Sequence, residues 1–174
     1  MTINWKKEIL TMAKVKEELY QVDKKKLWSW HLPEVAATES QINEIESHLC
    51  CPLDSQHKAF LKHSNGWESF YHDVDLFGIE ELASGDKHNK AIELIEIVLE
   101  SCPDEKFMLD EVFPIAVSKD DIDIFTINNG NSISPGIVSW FAGYRIDTFT
   151  NFEEYFMSMI EYNQLEIKSM FLAD

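Results

Sequence analysis

Apolar residues recur at helical spacing near both ends of the chain and in its middle. Near the N-terminus, apolar positions from Trp5 to Leu19 form one stripe, and lysines fill the opposite face of the predicted helix. Further helices are predicted over 38–50, 54–64 and 87–100, and Pro52 forces a turn between the first two of these. A last helix begins near residue 150, where apolar residues follow the i, i+3, i+4, i+7 pattern.

Capping sequences indicate where these helices begin and end. Thr38-Glu39-Ser40-Gln41 and Thr150-Asn151-Phe152-Glu153 both have the spacing of a capping box, in which the first hydroxyl accepts a hydrogen bond from the backbone of the fourth residue. Asp54 is predicted to cap the helix that follows Pro52, and Asn65-Gly66 to end it. The helices therefore fall into an N-terminal group, one central helix and one C-terminal helix.

Residues rich in β-branched and aromatic side chains predict strands over 76–79, 113–117, 122–127, 136–141 and 144–149. Asn128-Asn129-Gly130-Asn131 predicts a tight hairpin, which makes its two flanking strands antiparallel neighbours. Helices and strands are segregated along the chain, so the predicted fold class is α+β. We expect N-terminal helices, a mainly antiparallel sheet of about four to six strands, and a C-terminal helix packed on one face.

The charge of the chain is uneven. The formal net charge is −16 at pH 7, yet residues 1–30 carry seven lysines against four acidic residues, which is +3 and leaves −19 for residues 31–174. We therefore expect a basic amphipathic helix in 1–30 that docks on a single acidic domain formed by 31–174; the alternative is a detachable arm. An acidic surface repels polyanions, so neither nucleic acid nor an anionic membrane is an expected partner.

No stretch of the sequence has the features of a membrane span or an export signal. The most apolar segment, 91–99, is interrupted by Glu93 and Glu96, and the first residues lack a basic-then-apolar signal. The three cysteines are odd in number, and Cys50 and Cys51 are adjacent, so we expect reduced thiols rather than a disulfide framework. Together these features predict a cytoplasmic protein.

Motifs for catalysis and cofactor binding are missing from the sequence. The glycines are scattered singly and form neither a phosphate loop nor a dinucleotide turn, and no nucleophile elbow occurs. His57 and His63 point to different faces of a helix, so together with His72 they do not form a metal-binding pattern. We expect no cofactor, no metal and no enzymatic activity; a small metal-dependent hydrolase is the least favoured function.

Six short motifs follow each other along the chain, at 37–46, 51–61, 63–66, 113–116, 136–140 and 150–156. In this order they resemble the SUKH superfamily, which contains bacterial immunity proteins and fungal cell-wall-assembly regulators and shows T-x-x-x-I-x-x-x-E in the first motif and Asn-Gly at the end of the third. The chain departs from the family where His57 replaces the usual tyrosine and where the turn at 118–121 lacks glycine. Residues before about 30 have no counterpart in the family pattern.

The resemblance implies the role of an immunity protein, a non-catalytic protein that binds and neutralises a cognate toxin, often a nuclease, of a polymorphic or contact-dependent toxin system. A nuclease needs a basic cleft to hold phosphates, and an acidic body is complementary to such a cleft. The expected partner is therefore a basic protein toxin, bound by a monomer. The alternative is a non-catalytic interaction module that regulates cell-wall synthesis or signalling, as in the fungal members.

Acidic and aromatic residues in predicted loops are the candidate contacts for this partner. Acidic residues also suit solvated turns, and Trp67, directly after a helix end, also suits a buried lid. As interface residues, the carboxylates would attract a basic partner and the rings would anchor it. The candidates are Trp67, Tyr71, Asp73, Asp75, Glu80, Asp120, Asp121 and Asp123.

Overall fold

Over residues 3–172, which are those that the computed structural model describes, the chain forms five α-helices and one six-stranded antiparallel sheet. This architecture confirms the predicted α+β class, and a short 3-10 helix at Leu109–Glu111 precedes the third strand. The elements are α1 (Trp5–Val22), α2 (Glu39–Leu49), α3 (Ser55–Leu61), β1 (Trp67–Tyr71), β2 (Val74–Leu76), α4 (Asp86–Ser101), β3 (Val112–Ser118), β4 (Asp123–Asn128), β5 (Val138–Ala142), β6 (Arg145–Phe149) and α5 (Phe152–Leu172).

The sheet is a meander in which each strand pairs with its neighbours in sequence, from β1 at one edge to β6 at the other. Successive side chains on a strand point to opposite faces. Phe125 and Trp140 are cross-strand partners that face α5, where the Tyr155 ring lies 5.2 Å from that of Phe125. Ile124 and Phe141 point to the other face, on which α4 packs. The C-terminal helix α5 therefore packs on one face of the sheet, as predicted, and α4 packs on the other.

Local sequence fixes the start of three helices. Thr38 Oγ1 accepts from the Gln41 N–H, and the Gln41 side chain accepts from the Thr38 N–H, which completes the predicted capping box of α2. Asp54 accepts from two backbone N–H groups at the start of α3, as predicted. The start of α5 lies one residue later than the predicted box, because Asn151 rather than Thr150 accepts from the backbone N–H three residues ahead.

Three strand features differ from the sequence pattern. β2 spans Val74–Leu76, whereas the sequence predicts a strand over 76–79. The pattern does not indicate β1, because a register shift within this strand interrupts the alternation of buried and exposed side chains.

The β4–β5 connection spans 129–137 and is not a tight turn at 128–131; its left-handed residue is Gly136 rather than Gly130. Asn128 and Asn129 hold this wider loop, since their side-chain amides donate to backbone carbonyls of Ser134 and Asp110. β4 and β5 are antiparallel neighbours, as predicted.

α1 packs through its apolar stripe on α5 and α3. The Trp5 ring lies 5.4 Å from that of Phe156 and 5.6 Å from that of Phe60, in edge-to-face contacts. Met12 and Leu19, in the same stripe, are also buried. The predicted amphipathic pattern thus describes the buried face of α1. Within residues 3–172, none of the helices combines the length and the apolar character needed to cross a membrane.

His57 lies in the core, and neither of its ring nitrogens has a hydrogen-bond partner among the described residues. Its ring packs against Phe152, with centroids 4.7 Å apart. Burial disfavours the charged imidazolium and lowers the pKa of His57 to about 3. The neutral imidazole therefore serves as an aromatic core residue, and protonating it destabilises the fold.

Because His57 is buried in its neutral form, the free energy of unfolding should decrease as the pH is lowered. The unfolded state binds a proton at this side chain below about pH 6.5, whereas the folded state does so only near pH 3, so the free energy of unfolding falls as the pH drops through this window. We expect His57→Phe to stabilise the protein and to remove about 2 kcal/mol of the loss between pH 7 and pH 5, measured by urea denaturation. His63→Phe, which replaces an exposed histidine, is the matched control. The same pH dependence in wild type and His57→Phe would contradict the prediction.

Candidate partner-binding site

A bulge in β1 sets the direction of the β1–β2 hairpin. Ser69 has a φ of +49°, a left-handed conformation that costs a non-glycine residue free energy, and the β1–β2 register shifts across it. Buried charged side chains hold both polar groups of its backbone. The Lys16 ammonium donates to the Ser69 carbonyl, and Asp75 Oδ1 accepts from the Ser69 N–H at 2.7 Å. The bulge is therefore fixed by α1 on one side and by β2 on the other.

The two charged side chains at this bulge have different surroundings. Asp75 is 1% exposed and contacts two ammonium groups, those of Lys87 at 2.9 Å and Lys119 at 3.4 Å. Lys16 is also buried, but it has no carboxylate partner among residues 3–172. Burial lowers the pKa of Lys16 to about 8. Asp75 is thus a compensated charge, whereas the Lys16 charge is held by a single backbone carbonyl.

The tip of the hairpin carries a stack of aromatic rings. His72 and Asp73 form the two-residue turn between the paired residues Tyr71 and Val74, and His72 has a φ of +51°. The His72 ring stacks on Trp28 and on Tyr71, with centroids 4.2 and 4.1 Å apart. Trp28 belongs to the segment after α1, so this segment and the hairpin tip form one continuous wall.

The β3–β4 turn lies beside the hairpin tip, and an ammonium group from α4 bonds to its backbone. Lys90 of α4 donates to three carbonyl oxygens within 118–121, at 2.8–2.9 Å. Asp73 Oδ2 accepts from the Asp120 N–H at 2.9 Å, which ties the two turns together. Because Lys90 bonds to backbone carbonyls, it fixes the turn without forming an ion pair with the aspartates that the turn presents.

These elements enclose a concave site of about 340 Å³, which we call the acidic recess. No lysine or arginine of the described residues lines it. Carboxylates and aromatic rings make up most of its wall. The carboxylates are those of Asp73, Asp120, Asp121 and Asp123, and the rings are those of Trp28, Tyr71, His72 and Trp140.

Burial alters the proton affinities of groups in the recess. Burial raises the pKa of Asp123, and Asp121 and Asp73 add to the rise, while a hydrogen bond of 2.7 Å from Trp140 Nε1–H opposes it. Burial also lowers the pKa of His72, which leaves its imidazole neutral at pH 7. The recess therefore combines negative charge with neutral ring faces. This combination attracts an organic cation such as a guanidinium or ammonium group.

The recess brings together five of the residues that the sequence predicts as partner contacts. Their two turns meet because β2 and β3 are paired, with Val74 opposite Ser118. The five are Tyr71, Asp73, Asp120, Asp121 and Asp123. The sequence does not indicate Trp28 or Trp140, because they reach the site only through contacts among distant segments. Nor is His72 among the predicted contacts, although it lies in the hairpin turn directly between Tyr71 and Asp73.

The other three predicted contacts lie elsewhere. Trp67 is 1% exposed, and its Nε1–H donates to the His31 carbonyl at 2.9 Å, so its ring is the buried lid that the sequence also suits and is not available as a partner contact. Asp75 is buried in its ion pairs beneath the hairpin. Glu80 is exposed but lines a different hollow, beside Gln41. None of the three borders the recess.

Potential metal ligands are dispersed. Across residues 3–172, no group of three or more histidine, cysteine, aspartate or glutamate side chains is arranged to hold a metal ion. His57 is in the core, His63 Nδ1 lies 2.9 Å from the Ala59 carbonyl, and His72 is in the recess. The cysteines are free thiols in separate settings, with Cys50 exposed and Cys51 buried.

The lowered pKa of Lys16 predicts that the free energy of unfolding also depends on pH in the alkaline range. The unfolded state retains the ammonium proton up to about pH 10.5 and the folded state only up to about pH 8, so the free energy of unfolding rises with pH through this window. We expect the stability of wild type relative to Lys16→Met to rise by about 3 kcal/mol between these two pH values in urea denaturation. Lys14→Met, at an exposed position of the same helix, should show no such trend. A constant difference between wild type and Lys16→Met would refute the assignment.

The described fold and recess fall largely within one family domain. A search with family models matches the SMI1 / KNR4 family (SUKH-1) to residues 36–158. This segment begins just before α2 and ends within α5, so it contains the whole sheet and both turns of the recess. No curated protein matches the chain. The chain therefore belongs to the SMI1/KNR4 family (SUKH-1), in agreement with the SUKH resemblance of its motifs.

Proposed function

We propose that this protein is an immunity protein that binds and neutralises a basic toxin of a polymorphic or contact-dependent toxin system. The acidic recess supports this function, because it brings four aspartates and four rings together in one concave site. No lysine or arginine of the described residues lines this site. A toxin that inserts an arginine or lysine side chain there gains ion pairs with the carboxylates and cation–π contacts with the rings. The resemblance to SUKH immunity proteins supports this biological role, and the recess supports the proposed chemistry of the contact.

The charge of the whole molecule favours the same kind of partner. A net charge of −16 produces a long-range field that attracts a basic protein and increases the rate of encounter. This field is spread over the surface and does not by itself select a docking position. The recess provides that position, since its carboxylates are next to apolar ring surface that excludes water from an ion pair.

The segment before the family domain contributes to this site. Leu27 and Trp28 lie outside residues 36–158, yet they form one wall of the recess. Trp28 is held in place by Asp23, whose buried carboxylate accepts from the Trp28 N–H at 3.0 Å. The N-terminal segment therefore shapes the binding site as well as covering the core. We infer that this wall contributes to selectivity for one toxin.

The proposed role is binding rather than catalysis. The SMI1/KNR4 family is generally non-catalytic. In the recess, Asp73, Asp121 and Asp123 each accept a hydrogen bond from an N–H of the surrounding turns or of β5. These bonds hold the carboxylates in fixed positions before a partner arrives, which lowers the entropy cost of binding.

Charge reversal at the exposed rim of the recess tests this function. We expect the double variant Asp120→Lys, Asp121→Lys to slow association with the basic toxin encoded by a neighbouring gene by about tenfold at low salt, since it reverses the field at the docking position. Glu93→Lys, Glu96→Lys, at exposed positions of α4, changes the net charge equally and is the matched control. Surface plasmon resonance at two salt concentrations gives the association rates.

Protection of growing cells gives an independent readout of the same variants. Cells that express the toxin should survive when they also express wild type or the α4 control, and should lose protection with the recess variant. Equal slowing by both double variants would remove the recess from the interface. Failure of wild type to protect against any neighbouring gene product, together with binding to cell-wall or signalling enzymes, would favour the alternative of a regulatory interaction module.

A further inference from the structure

A second concave site lies on the face of the sheet opposite the acidic recess. It is a cleft of about 750 Å³ between the loops at 104–108 and 132–137, with β4, β5 and β6 as its floor. Ser139 points into this cleft, whereas the next residue of β5, Trp140, points into the recess. The cleft is therefore separate from the site on which the proposed toxin binding rests.

A row of hydroxyl groups crosses the floor of the cleft. Thr126 on β4 is the cross-strand partner of Ser139 on β5, and Ser139 is the partner of Thr148 on β6. All three residues line the cleft. Neighbouring strands lie about 4.8 Å apart, so the two threonines at the ends of the row are separated by roughly 10 Å.

Arg145 orients two of these hydroxyl groups. Its Nη1 donates to Ser139 Oγ at 2.7 Å and to Thr148 Oγ1 at 3.0 Å, while its other N–H groups pair with Glu105. Because both hydroxyl oxygens accept from the guanidinium, their protons remain available for donation to a ligand. The positive charge of Arg145 polarises these O–H groups and strengthens them as donors.

Thr126 is the member of the row that Arg145 does not contact. It lines the cleft, and its hydroxyl is not one of the sealed, unpaired polar atoms of the described core. A ligand with an acceptor oxygen in the cleft can therefore accept a hydrogen bond from it.

The walls of the cleft determine which ligand fits. Glu105 neutralises Arg145, and Asp104 and Glu111 outweigh Lys106 in the same cleft, so the site does not favour an anion. Two large apolar side chains stand exposed on opposite rims, Met108 at 65% and Ile133 at 97%. A polar floor between apolar rims is complementary to a peptide, because its backbone carbonyls accept hydrogen bonds and its side chains are available for apolar contacts.

We propose that this cleft binds an uncharged, extended peptide segment of a partner protein in the polyproline II conformation. Such a segment advances about 3.1 Å per residue and repeats every three residues, so equivalent carbonyls recur at about 9 Å. This repeat matches the roughly 10 Å between Thr126 and Thr148, and it allows carbonyls three residues apart to accept from both ends of the row. Apolar side chains between them then contact Met108 and Ile133.

The test uses a synthetic nonapeptide, acetyl-(Pro-Pro-Ala)3-amide, titrated into the full-length, isotopically labelled protein up to about 5 mM, a range in which NMR detects weak binding. We expect shifts of amide signals from β4, β5 and β6 and from the loop at 132–137. Thr126→Val should weaken this binding about tenfold, the effect of one lost hydrogen bond, and Ser47→Ala, which removes an exposed hydroxyl on α2, should leave it unchanged. Ile133→Ser, at an almost fully exposed position that folding does not need, should weaken binding about threefold.

Three results would overturn the proposal. The first is the absence of shifts up to the highest peptide concentration. The second is equal binding of the nonapeptide to wild type, Thr126→Val and Ile133→Ser. The third is binding of an oligosaccharide such as cellohexaose, with shifts at the same signals, when the peptide gives none. Toxin binding can fail while the peptide binds, or the reverse, because the two sites lie on opposite faces and are probed separately.

Discussion

The position of the candidate binding site depends on one strained peptide unit, that of Ser69. This residue takes a left-handed conformation because Lys16 from α1 holds its carbonyl and Asp75 from β2 holds its N–H. Without the bulge, β1 would keep a regular alternation and the hairpin tip would point elsewhere relative to the sheet. Asp75 is in turn bound by Lys87 of α4, so the bulge links helices on both faces to the hairpin. The acidic recess is a consequence of this linkage.

Some charged side chains of the molecule are paired with groups of opposite charge or with polar backbone groups, whereas the carboxylates of the recess are not paired with a cation among residues 3–172. Asp75 is compensated by two lysines, and Lys90 is compensated by the carbonyls of the β3–β4 turn. In the recess, by contrast, burial raises the pKa of Asp123, and the neighbouring carboxylates of Asp121 and Asp73 add to the rise because like charges repel. The cations that stabilise this region bond to its backbone or to its buried acid. These cations therefore stabilise the structure of the recess without neutralising the carboxylates on its surface.

The sequence predicts most of the fold because its signals are local. The capping box at Thr38, the cap at Asp54 and the apolar stripe of α1 all depend on residues within a few positions of each other, and the structure contains each of them. The missed features depend on distant contacts. β1 is hidden by a bulge that Lys16 stabilises from another element, and the Asn-Gly segment opens into a wide loop because Asn129 bonds to the backbone of Asp110. The same reason explains why the sequence predicts only part of the recess. Its aspartates are in turns that the sequence indicates, whereas Trp28 and Trp140 join them only through tertiary packing.

Polar groups have different meanings according to whether a ligand can reach them. His57 has two unpaired ring nitrogens, but it is sealed in the core against Phe152, so its only effect is on stability and its pH dependence. Thr126 lines an open cleft, and the carboxylates of the recess face solvent among aromatic rings. A cation in the recess would offset the repulsion between its carboxylates, and an acceptor in the cleft would take a hydrogen bond from the Thr126 hydroxyl. Access for a ligand is therefore the reason why we propose binding at these two sites and not at His57.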